Sequence, residues 1–236
     1  MKKLIAANWK MNPASSKEAR NIFNNIKKRI KGTKSEIVIC PPFIYLSLLK
    51  GLTLGAQDVF YEERGAFTGE ISAAMLKDMG VKYVIIGHSE RRKYFSETDE
   101  IINKKIKKAV DAGLKVIFCV GETQEQHDAG KRNEILEKQI KNGLANVDEK
   151  IENINIAYEP VWAIGTGNNC SVEETKEAVE LIRRLVKTNT RIIYGGSVKS
   201  ENSGRYIKKA GVDGLLVGGA SLDAKEFIKI INSIEE

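Results

Sequence analysis

Eight short apolar runs divide the chain, and each is followed by a helix or a helix-compatible stretch. The runs are LIAAN (4–8), IVIC (37–40), LTLGAQ (52–57), YVIIGH (83–88), VIFCVG (116–121), INIAYE (154–159), RIIYGG (191–196) and GLLVGG (214–219). Most are continuous rather than alternating, the pattern of strands buried on both faces, as in parallel sheets.

The intervening segments have helical spacing. Ala19, Ile22, Phe23, Ile26 and Ile30 recur at three- and four-residue steps and form one apolar stripe. Val179, Ile182, Leu185 and Val186 predict a second stripe, and Phe227, Ile228, Ile231 and Ile234 a third. Ser171 before VEETKE reads as an N-cap with acidic residues in the first turn, where the helix dipole favours them. Gly80, Gly113 and Gly211 stand where helices should end.

Repeated right-handed βαβ units in this number predict an α/β fold: a closed (β/α)8 barrel, one catalytic domain over residues 1–236. The alternative, an open doubly wound sheet, lacks its usual marker, because no G-x-G-x-x-G follows the first run. Such barrels usually take about 250 residues, which leaves only short loops here.

Composition narrows the function classes. Aromatics are 7% of the chain, so the core should be branched aliphatic. No apolar run reaches the roughly 18–20 residues needed to cross a membrane, and the start, MKKLIAANWKMN, reads as mature protein rather than a signal peptide. Cys40, Cys119 and Cys170 are odd in number and widely spaced, which predicts a reducing cytoplasm and no disulfide framework. The net charge of +7 raises the question of nucleic acid. The lysines are interspersed with acids, and KKIKK (104–108) reads as the wet face of a helix, so no specific nucleic-acid partner is expected. A positive field still helps to attract a small anion.

In a barrel, chemistry belongs at the C-terminal ends of the strands. Asn8 and Lys10 stand at the end of the first run, His88 and Glu90 at the fourth, Cys119 and Glu122 at the fifth, and Glu159 at the sixth. Glu159 has apolar neighbours, is followed by Pro160 and lies near Trp162; desolvation there favours a general base. His88 precedes Ser89 and Glu90, which can begin a helix whose N-terminus disfavours imidazolium. His127, in a polar stretch, reads as exposed, and Cys119 as a buried small apolar residue. GGSV (195–198) and VGGASL (217–222) present backbone N–H groups after the last two strands, where many barrels bind phosphate, and GTG (165–167) offers another donor. Two distant histidines and no carboxylate cluster predict no metal site.

Taken together, AANWKMN (6–12), GAFTGEIS (65–72), IIGHSERR (85–92), CVGET (119–123), AYEPVWAIGTG (157–167), YGGSV (194–198) and LLVGGASL (215–222) closely resemble the triosephosphate isomerase family, in order and from the first strand to the last helix. The resemblance implies a TIM barrel that interconverts dihydroxyacetone phosphate and D-glyceraldehyde 3-phosphate through an enediolate, without cofactor or metal. It implies Glu159 as the base, His88 as a neutral electrophile, Lys10 and Asn8 beside the developing oxyanion, and Glu90 in support. Gly165, Ser197, Gly218 and Gly219 would hold the phosphate. Pro160, Val161, Trp162, Ala163, Ile164, Thr166 and Gly167 would belong to a lid, tethered by Tyr194 and Ser197. The family often has lysine-threonine-alanine after the GTG, where this chain has Asn168, Asn169 and Cys170. Pro13 is a second departure, expected to affect the first loop more than Lys10. The Gly65–Glu70 loop, with Thr68 at its tip, implies a homodimer, with a tetramer as the alternative.

The rival readings are another phosphate-binding barrel enzyme, an aldolase or a sugar-phosphate isomerase, and, in a different class, a basic nucleic-acid-binding protein. A Schiff-base aldolase needs a lysine nucleophile deep in the barrel. Lys10 is the nearby candidate, but the NWK and HSE motifs suit proton transfer better.

Overall fold

A computed structural model describes residues 1–147, 152–164, 169–187 and 189–235. Eight parallel strands close into a barrel in sequence order. They are β1 (Leu4–Asn8), β2 (Glu36–Cys40), β3 (Thr53–Ala56), β4 (Tyr83–Ile86), β5 (Lys115–Val120), β6 (Ile154–Tyr158), β7 (Ile192–Tyr194) and β8 (Gly214–Val217). The ring closes where Leu4–Ala7 pair with Gly214–Val217. All eight predicted runs are strands: β1 matches its run, β2 and β5 begin one residue earlier, and β3 to β8 each lose one to three residues of the run at ends that turn into loops.

The helices are α1 (Ser16–Arg29), α2 (Phe43–Leu46), α3 (Ala73–Asp78), α4 (Ser89–Phe95), α5 (Asp99–Asp111), α6 (Gln124–Asp128), α7 (Arg132–Gly143), α8 (Val172–Leu185), α9 (Ser200–Lys209) and α10 (Ala224–Glu235). Ser171 caps α8 as expected, and Glu174 returns the bond to complete a capping box. Gly80, Gly113 and Gly211 follow α3, α5 and α9 with φ between 71° and 79°, the left-handed turn that ends a helix.

Strand alternation divides the core in two. Leu4, Ala6, Val38, Cys40, Tyr83, Ile85, Ile117, Cys119, Ala157, Ile193 and Leu216 fill the barrel interior. Ile5, Ala7, Ile39, Val84, Ile86 and their counterparts face outward, against the helices. The stripe on α1 is buried as predicted. Two stripes are shifted: Leu185 of α8 is exposed, with Ala178 and Leu181 buried instead, and Ile230 rather than Ile228 is buried on α10.

KKIKK does not form a uniformly wet face. Lys105 is buried, with Nζ 2.8 Å from both Asp58 oxygens and 2.5 Å from Glu97 Oε1. Arg91 binds the same two acids. A buried lysine is tolerable only when paired, and one of the acids that pair it, Asp58, lies 47 residues away in sequence. A second polar cluster lies at the N-terminal ends of the strands. There Arg191 bonds to Glu36, Tyr83 and Asn155.

Candidate active site

One cavity of about 750 Å³ opens at the C-terminal ends of the strands, lined by Asn8, Lys10, His88, Glu159, Ser197, Gly218 and Gly219, with Ile164 and Asn169 at its edge. These residues come from five of the eight strands and their following loops.

Glu159 ends β6 at 2% exposure. Its backbone N–H donates to Val120 O, and the Gly195 N–H donates to Tyr158 O. The neighbouring strands leave room for it only because they carry glycine. A Cβ on Gly121 would lie 1.8 Å from Glu159 O, and one on Gly195 would lie 2.8 Å from Glu159 Cγ. The carboxylate faces β4: Oε1 is 3.3 Å from His88 Nε2, and Oε2 accepts Ser89 N–H at 3.3 Å.

His88 reaches the cavity by breaking the strand's alternation. Tyr83 and Ile85 point inward, so regular pleating would send His88 outward. Gly87, at φ 76°, turns the chain, and His88 becomes the N-cap of α4. Its Nδ1 accepts the Glu90 N–H at 3.2 Å. An accepting Nδ1 leaves Nε2 as the donor nitrogen, and Nε2 faces Glu159.

Lys10 sits at φ 55°, a costly conformation for a lysine. Two polar contacts hold it there: Asn8 Oδ1 accepts its N–H at 3.0 Å, and Gln57 Nε2 donates to its carbonyl at 2.9 Å. Gln57 also donates to Cys40 O, tying the exits of β1 and β2 together. Lys10 Nζ is 2.5 Å from Glu90 Oε1, which places Glu90 beside the cavity. Sequence reading missed Gln57, since a glutamine after a strand gives no signal until the loop it ties is folded. Pro13 is buried further along that loop, where its carbonyl accepts the Tyr45 hydroxyl at 2.9 Å.

Gly218 and the short 3-10 turn Gly219–Leu222 bring backbone N–H groups to the opposite wall. No atom stands within 4 Å of where a Gly219 Cβ would be, so the backbone there borders open space. Ser197 Oγ donates to Ala163 O at 2.6 Å, joining the loop after β7 to Val161–Ala163, a 3-10 turn. Gly165, Thr166 and Gly167, three of the predicted phosphate and lid residues, lie outside the described residues, as does Asn168. Tyr194, expected to tether that segment, has no hydroxyl partner among the described residues. Its ring stacks on Tyr206, whose own hydroxyl donates to Cys170 O at 2.7 Å.

Glu122, at 0% exposure, accepts from Trp162 Nε1 at 2.9 Å and from the Tyr158 hydroxyl at 3.1 Å. His127 is not exposed as predicted; it is half-buried, with its ring packed against Trp162. Cys119 is buried as expected. Burial first, then the negative charge of Glu159, pushes its thiol well above the usual range. Burial likewise raises the Cys170 thiol to about 12. Among the described residues no three His, Cys, Asp or Glu side chains converge to hold a metal.

The fold and this rim define a class: a single-domain TIM-barrel enzyme whose carboxylate, imidazole and ammonium groups meet at the C-terminal mouth. The sequence profile of triosephosphate isomerase matches residues 3–234. The chain is 48% identical to the triosephosphate isomerase of Alkaliphilus oremlandii, over 98% of this chain and 99% of that protein. It is 48% identical to that of Dictyoglomus turgidum, over 98% and 99%, and 47% identical to that of Aquifex aeolicus, over 99% and 100%. The chain belongs to the triosephosphate isomerase family.

Proposed function

We propose that Glu159 is the base of an intramolecular aldose–ketose isomerase, with His88 as its electrophilic partner. The chain interconverts dihydroxyacetone phosphate and D-glyceraldehyde 3-phosphate, a step of glycolysis and gluconeogenesis. The observation that carries the residue assignment is the buried Glu159 carboxylate 3.3 Å from His88 Nε2, with His88 Nδ1 turned to the Glu90 N–H.

Glu159 takes a proton from C1 of dihydroxyacetone phosphate as His88 Nε2–H hydrogen-bonds to the C2 carbonyl oxygen. The electron pair of the broken C–H bond becomes the C1–C2 double bond of an enediolate, and charge moves to oxygen. Lys10 and Asn8 stand beside that oxygen, where their interactions strengthen as charge grows. His88 moves the hydroxyl proton between the two oxygens. Glu159 then returns a proton to C2, giving the aldehyde. The proton removed lies next to a carbonyl, so the step calls for no metal or cofactor. Backbone N–H groups of Gly165, Ser197, Gly218 and Gly219 hold the phosphate, and Glu90 orients Lys10.

Residues 160–167 act as a lid that excludes water from the enediolate. Support comes from its first turn, which is fastened at three points: Val161 N–H and Trp162 Nε1 to Glu122, and Ala163 O to Ser197. The catalytic domain is the whole barrel, 1–236, and the working form is a homodimer. Large exposed side chains support the dimer: Met11, Ile44, Phe67, Tyr94 and Phe95 follow β1, β2, β3 and β4, adjacent strands on one side of the ring. Thr68, at the tip of the loop beside Phe67, reaches the neighbouring subunit. Three free, buried cysteines support a cytoplasmic location, and no described helix is long and apolar enough to cross a membrane.

A coupled assay with each triose phosphate, run with chelator present, tests the reading. Turnover in the wild type and its loss in Glu159→Gln is the expected result. A borohydride-stable adduct on Lys10 would instead identify an aldolase.

A further inference from the structure

The start of the lid and the helix that follows its far end converge on one side chain that the reaction does not use. His127, on α6, packs its ring against Trp162, tilted by 36° with centroids 4.5 Å apart. Its Nδ1 lies 3.7 Å from Glu122 Oε1, and its Nε2 lies 3.9 Å from Glu174 Oε1. Glu122 is the carboxylate that fastens Trp162, and its carbonyl accepts the Val161 N–H at 3.0 Å. Glu174 forms the capping box with Ser171, the residue after Cys170. A single imidazole therefore stands between two carboxylates, one fastening Trp162 and the other capping α8 at Ser171.

We propose that His127 is a positioning residue of the lid, whose imidazolium form ties Glu122, Trp162 and Glu174 together and slows the hinge movement that accompanies Glu159. The proposal rests on the reading of residues 160–167 as a lid. Glu159 is separated from the hinge turn by Pro160 alone, and both of its oxygens are engaged, by His88 and by Ser89. Acting as base requires it to leave at least one of those contacts, so whatever stiffens Val161 and Trp162 opposes that release.

A neutral ring at this position only packs. A charged one adds attraction to two carboxylates and to the indole face. Other charged and titratable groups face the ring. Arg132 of α7 carries like charge, but its guanidinium is engaged by Glu177 at 2.6 Å and by the Glu174 carbonyl. Tyr158 of β6 adds only its hydroxyl, which donates to Glu122. Glu125 and Asp128, on α6 itself, add negative charge, and Cys170 Sγ lies 4.0 Å from Glu174 Oε2 as a neutral thiol. Glu174 is held below the usual carboxylate range, foremost by the Ser171 hydroxyl, so it stays ionised where a histidine changes charge. The His127 side chain is 28% exposed, so its proton exchanges freely with water.

The test compares full-length wild type, His127→Gln and His127→Phe from roughly pH 5 to 8, the range in which histidines titrate. Phenylalanine keeps the ring packing without the charge. Toward acid, wild-type kcat should fall about two- to threefold more than that of either variant, the scale of a part-exposed ion pair, with KM changing in parallel in all three. His88 is common to all three proteins, so the difference belongs to His127. Wild-type tryptophan emission should titrate in the same range, because an imidazolium against Trp162 quenches it, and both variants should lose that transition. Superimposable kcat profiles together with an unchanged fluorescence titration in His127→Phe overturn the proposal. If no form isomerises triose phosphates, it is the parent reading that fails, and the fluorescence titration still decides whether His127 charges against Trp162.

Discussion

Glu159 and His88 face each other across the barrel mouth with Oε1 and Nε2 3.3 Å apart, the carboxylate from β6 and the imidazole from the turn after β4. Two groups with opposite proton duties are thus held by separate rigid strands. Glu159→Gln keeps the shape and removes the basicity, so kcat should fall by about 10³-fold, within the range for loss of general base catalysis. Binding of a phosphate-bearing inhibitor should change little. Steady-state kinetics and inhibitor titration measure both; turnover near the wild-type value would take the base role from Glu159.

Gln57 holds the Lys10 backbone in its left-handed conformation from the side of the carbonyl. Gln57→Ala should let that backbone relax and move Nζ away from the substrate oxygen. An ångström of misplacement costs about 100-fold, so kcat/KM should drop by roughly one to two orders of magnitude while circular dichroism stays unchanged. Equal kcat/KM in the two proteins would show that Asn8 suffices.

Tyr206→Phe removes the hydroxyl that reaches Cys170 O at the far end of the lid. The carbonyl is left unpaired at a buried site, a loss of about 1–2 kcal/mol. Urea denaturation should register it. If the contact also guides the lid, KM for the triose phosphates should rise as well; a stability loss with unchanged kinetics would confine Tyr206 to the fold.

At the N-terminal ends of the strands, burial raises the Glu36 carboxyl, but the Tyr83 hydroxyl and the Arg191 guanidinium outweigh it and hold the group below the usual range. A carboxyl depressed in the folded state contributes stability above its unfolded value, near 4.3. That contribution is lost as pH falls through the lower folded value. Arg191→Met breaks a largely buried pair and should cost about 3 kcal/mol at pH 7. The gap to wild type should begin to narrow as pH falls below the unfolded value of about 4.3 and close as it passes the lower folded value of Glu36. Denaturant melts at pH 7 and pH 3 check the sign; an equal gap at both would mean that Glu36 carries none of it.

Phe67 is 43% exposed and Met11 95% exposed, on the loops after β3 and β1. Phe67→Asp should convert the proposed dimer to monomer and lower activity with it. Mass measured by light scattering decides; a wild-type monomer would refute the dimer directly.

The sequence alone carried the strand count, the barrel and the rim positions of Glu159, His88, Lys10 and the paired glycines. All of these depend on local apolar runs and on where they stop, so they are written in neighbouring residues. Other features needed the folded chain. Lys105 reads as a surface lysine until Asp58 and Glu97 arrive from other elements, and His127 reads as solvated until Trp162 packs on it. Gln57 became visible only through the groups it ties, and Glu122, placed at the rim by the sequence, found its role only when Trp162 bonded to it. Periodicity reports how each segment meets its own core, whereas the partner of a polar side chain is set by distance in space. Only the closed ring of strands brings those partners within a hydrogen bond of one another.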